Sequence, residues 1–202
     1  CAGRVTGMEQ QDILSMTLPE LQAAVQELGE SKFRAKQIFN WLHQKRVTDF
    51  SEMTTLSLPF RERLASDFCI NRLKIAKRLA SSVDDTVKYL YELPDGNYVE
   101  TVCMQYHHGT SLCISTQVGC RMGCRFCASA IAGFVRNLTP AEMLLQIYET
   151  ERAQNCKISS LVLMGIGEPL DNFDNVLRFL QLLSDPNGYG MSLRHVTVST
   201  CG

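Results

Sequence analysis

Cys120-Arg-Met-Gly-Cys124-Arg-Phe-Cys127-Ala128 is the stretch from which the rest of the chain can be read. It is a C-x3-C-x2-C loop directly after residues 111–118, whose apolar alternation reads as a strand. Beyond it, strand and helix alternate. Thr139-Pro140-Ala141-Glu142 is a capping box opening a helix that runs to about Arg152, residues 159–164 read as a buried strand, 172–184 as a helix and 195–200 as another strand. Such a βαβαβ run implies a parallel sheet with right-handed crossovers, hence an α/β fold.

Upstream of the loop the period is two. Residues 86–93 and 98–106 flank Pro94-Asp95-Gly96, a strong hairpin turn, and His107-His108-Gly109 forms the next turn. Paired histidines in a turn suggest a metal, but no partner stands at ligand spacing. Further upstream the pattern is helical. Thr17 can cap a helix that has Pro19 in its first turn and Gly29 as its stop; a second helix follows Ser31 with Phe33, Ile38, Phe39 and Leu42 on one side; a third starts near Leu58-Pro59 with Phe60 and Leu64. Trp41, a lone aromatic at helical spacing, reads as core. The expected organisation is a helical domain over 1–72, a β-hairpin extension over 73–110 and an α/β unit over 111–202.

Of the 202 residues, 45% are hydrophobic and 20% charged, which suits globular domains and excludes a disordered or fibrous chain. No run of 18 apolar residues and no basic-then-apolar leader is found, so neither a membrane span nor secretion is expected, and the cytoplasm is the expected location. Nine cysteines, an odd number without an export signal, favour metal or redox chemistry over a disulfide framework. Cys1, Cys69, Cys103 and Cys156 read as structural or incidental. The net charge of −1 argues against a nucleic-acid partner, yet residues 1–31 carry −4, 32–88 carry +6 and 89–202 carry −3. The basic middle segment could neutralise phosphates, and solvated helix faces are the plainer alternative. The chain begins at Cys1 and stops at Gly202 directly after a strand-like run, so it is expected to be a piece of a longer protein.

Three thiolates on one short loop can hold three corners of a cubane iron–sulfur cluster and leave the fourth iron without a protein ligand. An amino acid offering an α-amine and α-carboxylate can chelate that iron. S-adenosylmethionine (SAM) is such a molecule, and an electron passed into its sulfonium would release a deoxyadenosyl radical. Zinc competes as a reading, but a structural zinc site wants four ligands and no fourth Cys or His stands at the right distance. A second signal is Met164-Gly165-Ile166-Gly167-Glu168-Pro169, placed where α/β sheets bind ligands. Its glycines admit close backbone approach and Glu168 offers acceptors for an ammonium, although such a turn can be purely structural. Ser199-Thr200 could meet the SAM carboxylate or ribose, or could cap a helix.

With these motifs the chain resembles radical-SAM adenine-C2 methyltransferases acting on 23S rRNA and tRNA, the RlmN/Cfr group. The matching stretches are Gly96-Asn-Tyr-Val-Glu100-Thr-Val, residues 111–120 (SLCISTQVGC), Cys124-Arg-Phe-Cys127-Ala, residues 133–142 (GFVRNLTPAE), 164–169 and 196–202. The resemblance implies a partial (β/α)6 barrel, incomplete here with about three of its strands, preceded by the hairpin extension and an accessory domain that engages RNA. It implies that Cys120, Cys124 and Cys127 bind a [4Fe-4S] cluster and that Gly167, Glu168 and Ser199 contact SAM. It makes Glu100 a proton acceptor and Cys113 a thiol that helps resolve an enzyme–RNA adduct by disulfide formation; read alone, Glu100 is a solvent-facing strand residue and Cys113 a small buried hydrophobe. Two SAM are implied per turnover, one to methylate a carrier cysteine and one to make the radical, which suits a carbon as poorly nucleophilic as adenine C2.

The carrier cysteine of the family belongs to a C-terminal half that this chain lacks. Cys201, beside Ser199-Thr200, is not its substitute, so the chain alone is not expected to turn over. The implied partners are 23S rRNA, tRNA and an electron donor such as flavodoxin or ferredoxin, with a monomer and no membrane. Competing readings are an adenine-C8 rRNA methyltransferase conferring antibiotic resistance, a non-methylating radical-SAM enzyme and a zinc-bound RNA-binding module.

Overall fold

The computed structural model describes residues 10–131 and 133–202. Cys1 lies outside the described residues. In chain order the elements are β1 (Gln11–Asp12), α1 (Leu18–Glu27), α2 (Lys32–His43), α3 (Leu58–Asp67), β2 (Phe68–Cys69), β3 (Lys74–Ala80), β4 (Val87–Glu92), β5 (Tyr98–Tyr106), β6 (Gly109–Ile114), β7 (Gln117–Gly119), β8 (Phe134–Asn137), α4 (Pro140–Gln154), β9 (Ile158–Leu163), α5 (Phe173–Ser184) and β10 (Val196–Val198).

The helices start where their caps place them. At α1, Glu20 accepts from the Thr17 amide at 2.8 Å, at α2 the Ser31 hydroxyl accepts from the Phe33 amide at 3.3 Å, and at α4 Thr139 and Glu142 cap each other. Helix α2 buries Ala35, Ile38, Phe39 and Leu42, the i, i+3, i+4, i+7 stripe of a one-sided helix. Phe33 falls off that stripe and is 64% exposed, so it does not share the core side expected for it. Trp41 is likewise not core. It is half-buried, its indole N–H donates to Thr55 Oγ1 at 2.8 Å and the Lys45 ammonium lies 3.4 Å from its ring centroid, so it covers the core from outside.

One six-stranded sheet runs in the order β10-β9-β6-β5-β4-β3. β6, β9 and β10 are parallel, as the βαβαβ pattern requires, while β3 to β6 are antiparallel neighbours. The hairpin strands and the parallel strands therefore share one sheet. One face carries Tyr89, Tyr91, Val99, Leu112, Ile114, Leu161 and Leu163, all buried, with Tyr91 Oη 2.8 Å from Thr150 Oγ1 of α4. Helix α5 adds Val176, Phe179, Leu182 and Leu183 to this core, each burial contributing roughly 1.5–3 kcal/mol. By strand alternation the opposite face carries Lys88, Glu100, Val102, Cys113 and Val162, and it is only half covered.

The helical segment is fastened to the outer layer. The Ala141 amide donates to Ser15 Oγ at 3.1 Å, Arg178 pairs with Glu20 at 2.5 Å, His43 Nδ1 lies 2.9 Å from Tyr148 Oη, and Arg46 pairs with the buried Glu151.

Residues 111–118 do not form one strand as expected. β6 stops at Ile114 and β7 begins at Gln117, because the Ser115 backbone leaves the ladder to bond Gln146 of α4. β7 then pairs antiparallel with β8, and neither β8 nor the edge strand β3 was foreseen. His107 and His108 form a ring cluster with Tyr106, whose ring stacks on His108 at 5.3 Å.

Candidate active site

The open face of the sheet decides what can meet what. Cys113 lies opposite Val102 on one side and Val162 on the other, and Glu100 stands two residues from Val102 on that same face. Both are half-buried. Lys88 of the adjacent strand pairs with Glu100 at 2.7 Å, which fixes the direction of the carboxylate. Burial pushes the Cys113 thiol up, and a hydrogen bond from the Met164 amide only partly offsets this, so the group is a thiol at neutral pH.

The turn after β9 lies at the C-terminal end of the parallel strands and is seated on the end of β6. The Gly165 amide donates to Ile114 O at 3.0 Å, the Ile166 amide to Ser115 Oγ at 3.0 Å, and Ile166 O accepts from the Thr116 amide at 2.9 Å. Gly167 has φ +108°, and a Cβ there would fall 2.6 Å from Gln117 Cβ, so only glycine fits. Glu168 is buried. Its Oε1 accepts from the Leu170 amide at 3.0 Å and its Oε2 from the Cys201 amide at 2.9 Å. Burial works to raise its pKa, but the Cys201 and Leu170 amides and the Thr200 hydroxyl outweigh it and hold the carboxyl below its usual range. Glu168 thus ties its own turn to the segment after β10, where Ser199 is held by its amide donating to Leu163 O at 3.2 Å.

The cysteine loop hangs from a pinned neck. The Cys120 amide donates to Gly133 O at 3.1 Å, and Gly119 has φ +72° with a would-be Cβ only 1.7 Å from that oxygen. Cys120, Cys124 and Cys127 are half-buried on this loop, and among the described residues no three His, Cys, Asp or Glu side chains stand close enough together to hold a metal ion. The three thiols therefore share the loop without being drawn together. The donor set fits an iron–sulfur cluster: residues 120–133 carry three soft sulfur ligands and neither histidine nor carboxylate. Cys201 is exposed, and the adjacent Glu168 carboxylate pushes its thiol up. No disulfide forms among the described residues, so the one expected at Cys113 is absent here.

Sequence reasoning missed the polar residues behind this site. Ser115 Oγ donates to Glu100 O at 2.7 Å while accepting from Ile166, so one hydroxyl joins the strand of Glu100 to the glycine turn. Gln146 clamps both the N–H and the C=O of Ser115, at 2.9 and 3.0 Å. Gln117, fully buried, accepts from the Glu168 amide at 2.9 Å and donates to Asn137 and Asp171. Residues 133–142 prove to be a framework. Arg136 forks onto Glu142 with two bonds of 2.8 Å and reaches Asp95 in the hairpin turn at 2.7 Å, holding the Asp95 carboxyl down to about 2.

A family model described as the ribosomal RNA large subunit methyltransferase N-terminal domain matches residues 11–70, and one described as the radical SAM superfamily matches residues 114–202. A probable dual-specificity RNA methyltransferase RlmN of Lachnoclostridium phytofermentans is 52% identical over 197 residues, covering 96% of this chain and 54% of the relative. The chain is similar to the RlmN family over nearly its whole length. A second relative of the same description, from Clostridium novyi, is 48% identical over 95% of this chain and 56% of its own length. A crystal structure of a radical SAM methyltransferase from Sphaerobacter thermophilus superposes with a TM-score of 0.87 at 34% identity, covering 95% of this chain and 57% of that one. The α/β partial barrel expected from sequence is thus the fold of this family. The chain spans about half the length of the RlmN relatives it matches. No helix among the described residues is long and apolar enough to cross a membrane.

Proposed function

We propose that this chain carries the cluster-binding and SAM-binding part of an adenine-C2 methyltransferase acting on 23S rRNA and tRNA. The observation that carries the reading is that Glu100 and Cys113 share one open face of the sheet while the Gly165–Gly167 turn and Ser199 sit at the adjoining C-terminal ends of the parallel strands. In this reading Cys120, Cys124 and Cys127 hold a [4Fe-4S] cluster, Glu168 accepts from the amine of SAM, Gly167 lets the backbone close on it, and Ser199 meets its carboxylate or ribose. When bound, cluster and SAM supply the one-electron chemistry that polar catalysis at adenine C2 lacks.

The chain's own groups do the rest. Glu100, oriented by Lys88, is the proton acceptor at the base, and Cys113 presents a neutral thiol two residues away across the strand pair. The family model over residues 11–70 and the cations of β3 support RNA as the partner: Lys77 and Arg78 lie on an exposed edge strand with no carboxylate partner among the described residues. Two SAM per turnover, a carrier cysteine outside this chain and hence no turnover by the chain alone belong to the same reading, as do a monomer, a cytoplasmic location and flavodoxin or ferredoxin as electron donor.

The test is mass spectrometry of digested rRNA and tRNA from a null strain complemented with the full-length gene. Recovery of 2-methyladenosine is expected. Recovery of 8-methyladenosine would replace the reading with the C8 enzyme, and no modified adenosine would end it in favour of a non-methylating member.

A further inference from the structure

The cysteine loop and the glycine turn are far apart in sequence, yet one carboxylate joins them. Asp171 Oδ2 accepts from Gln117 Nε2 at 2.7 Å and forms an ion pair with Arg121, whose Nε lies 2.9 Å away. Arg121 directly follows Cys120, and its guanidinium lies 3.9 Å from the Phe134 ring centroid, at the neck of the loop. On the other side, Gln117 has no freedom. Its Oε1 is claimed by the Glu168 amide, so its Nε2 must face Asp171 and Asn137. Asp171 is itself held by its amide donating to Glu168 O at 3.1 Å. The chain of contacts therefore runs from Arg121 through Asp171 and Gln117 to Glu168.

Stability does not explain this arrangement. Arg121 is half exposed, and ion pairs of that kind contribute about 0–1 kcal/mol. What the contacts do is remove freedom between two segments that must face each other if one iron corner is to be chelated by a molecule seated in the glycine turn.

Resting on the reading above, we propose that Arg121, Asp171 and Gln117 form a clasp that sets the cysteine loop against the glycine turn, and that Asp171 is a positioning residue for SAM binding at the cluster. It touches neither cluster nor SAM. Partners that orient the ligands of a metal site typically cost about 10–100-fold when removed.

The experiment uses the full-length protein, reconstituted anaerobically with iron and sulfide, reduced, and titrated with SAM while the electron paramagnetic resonance signal of the cluster is followed. The expected result is that Asp171→Ala and Arg121→Gln retain iron close to the wild-type amount but need about tenfold more SAM for the half-maximal change in the signal. Arg121→Lys, which keeps the charge, should recover most of that loss. Half-maximal change at the wild-type SAM concentration in both variants would overturn the clasp and leave the functional reading intact. A wild-type signal that ignores SAM would remove the functional reading and the clasp together. Arg121→Gln sits on a half-exposed side chain, so it decides the matter even where Asp171→Ala fails to fold.

Discussion

Replacing Gln146 with leucine tests whether the buried amide behind the site organises it. The shape of the side chain is nearly kept, so the loss is of bonding and not of volume. Gln146 is fully buried on α4; its Oε1 accepts from the Ser115 amide at 2.9 Å and from Thr101 Oγ1 at 2.8 Å, and its Nε2 donates to Ser115 O at 3.0 Å. Leucine leaves the Ser115 N–H and C=O without partners in a place water does not reach. Each orphaned group costs about 1–3 kcal/mol, and the apolar side chain regains part of this, so a net loss of about 2–4 kcal/mol is expected. For a domain of this size that is a fall in melting temperature of roughly 4–16 °C. Calorimetric or circular-dichroism melting measures it. A leucine variant melting within about 1 °C of wild type would refute the reasoning, since Ser115 would then be satisfied without Gln146.

Three further predictions follow from particular contacts. His43 is buried and uncharged, with burial pushing its pKa from 6.5 to about 4 and its Nε2 without a partner among the described residues. The unfolded chain therefore binds the extra proton first, and stability should be lost as pH falls from about 6.5 toward 4, by up to ~3 kcal/mol, a slope that urea melts should find missing in His43→Phe. Gly119→Ala puts a Cβ 1.7 Å from Gly133 O at φ +72°, so the neck of the cysteine loop must open and iron bound per chain after reconstitution should fall well below wild type. Replacing Lys77 and Arg78 with glutamine should weaken RNA binding by the full-length protein and reduce the slope of log affinity against log salt by about 1.5, as two lost phosphate contacts require; an unchanged slope would place the RNA elsewhere.

What the sequence shows of this fold is whatever local chemistry specifies. The caps at Thr17, Ser31 and Thr139, the Pro94-Asp95-Gly96 turn and the alternation of β9, α5 and β10 act within a few residues of themselves, and the helices and strands appear where those signals place them. β3 escaped because all seven of its residues are exposed, so neither face imposes an apolar alternation. The break between β6 and β7 escaped because its cause, Gln146, lies 31 residues away from Ser115. Phe33 was misplaced by counting it with a stripe that its position, five residues before Ile38, does not join. At the site, the cysteine spacing and the glycine turn were visible as donor types and as turn chemistry. Gln117, Asp171 and Arg121 were not, because a glutamine, an aspartate and an arginine carry no signal until folding brings them to one oxygen.

The central claim is that Cys120, Cys124 and Cys127 hold a cubane cluster with one iron left open for SAM. Metal analysis of the full-length protein purified and reconstituted without oxygen tests it most directly, with the triple Cys→Ala variant as the control. The account predicts about four irons per chain in the wild type and none in the variant. Zinc in place of iron, or equal iron in the variant, would contradict it.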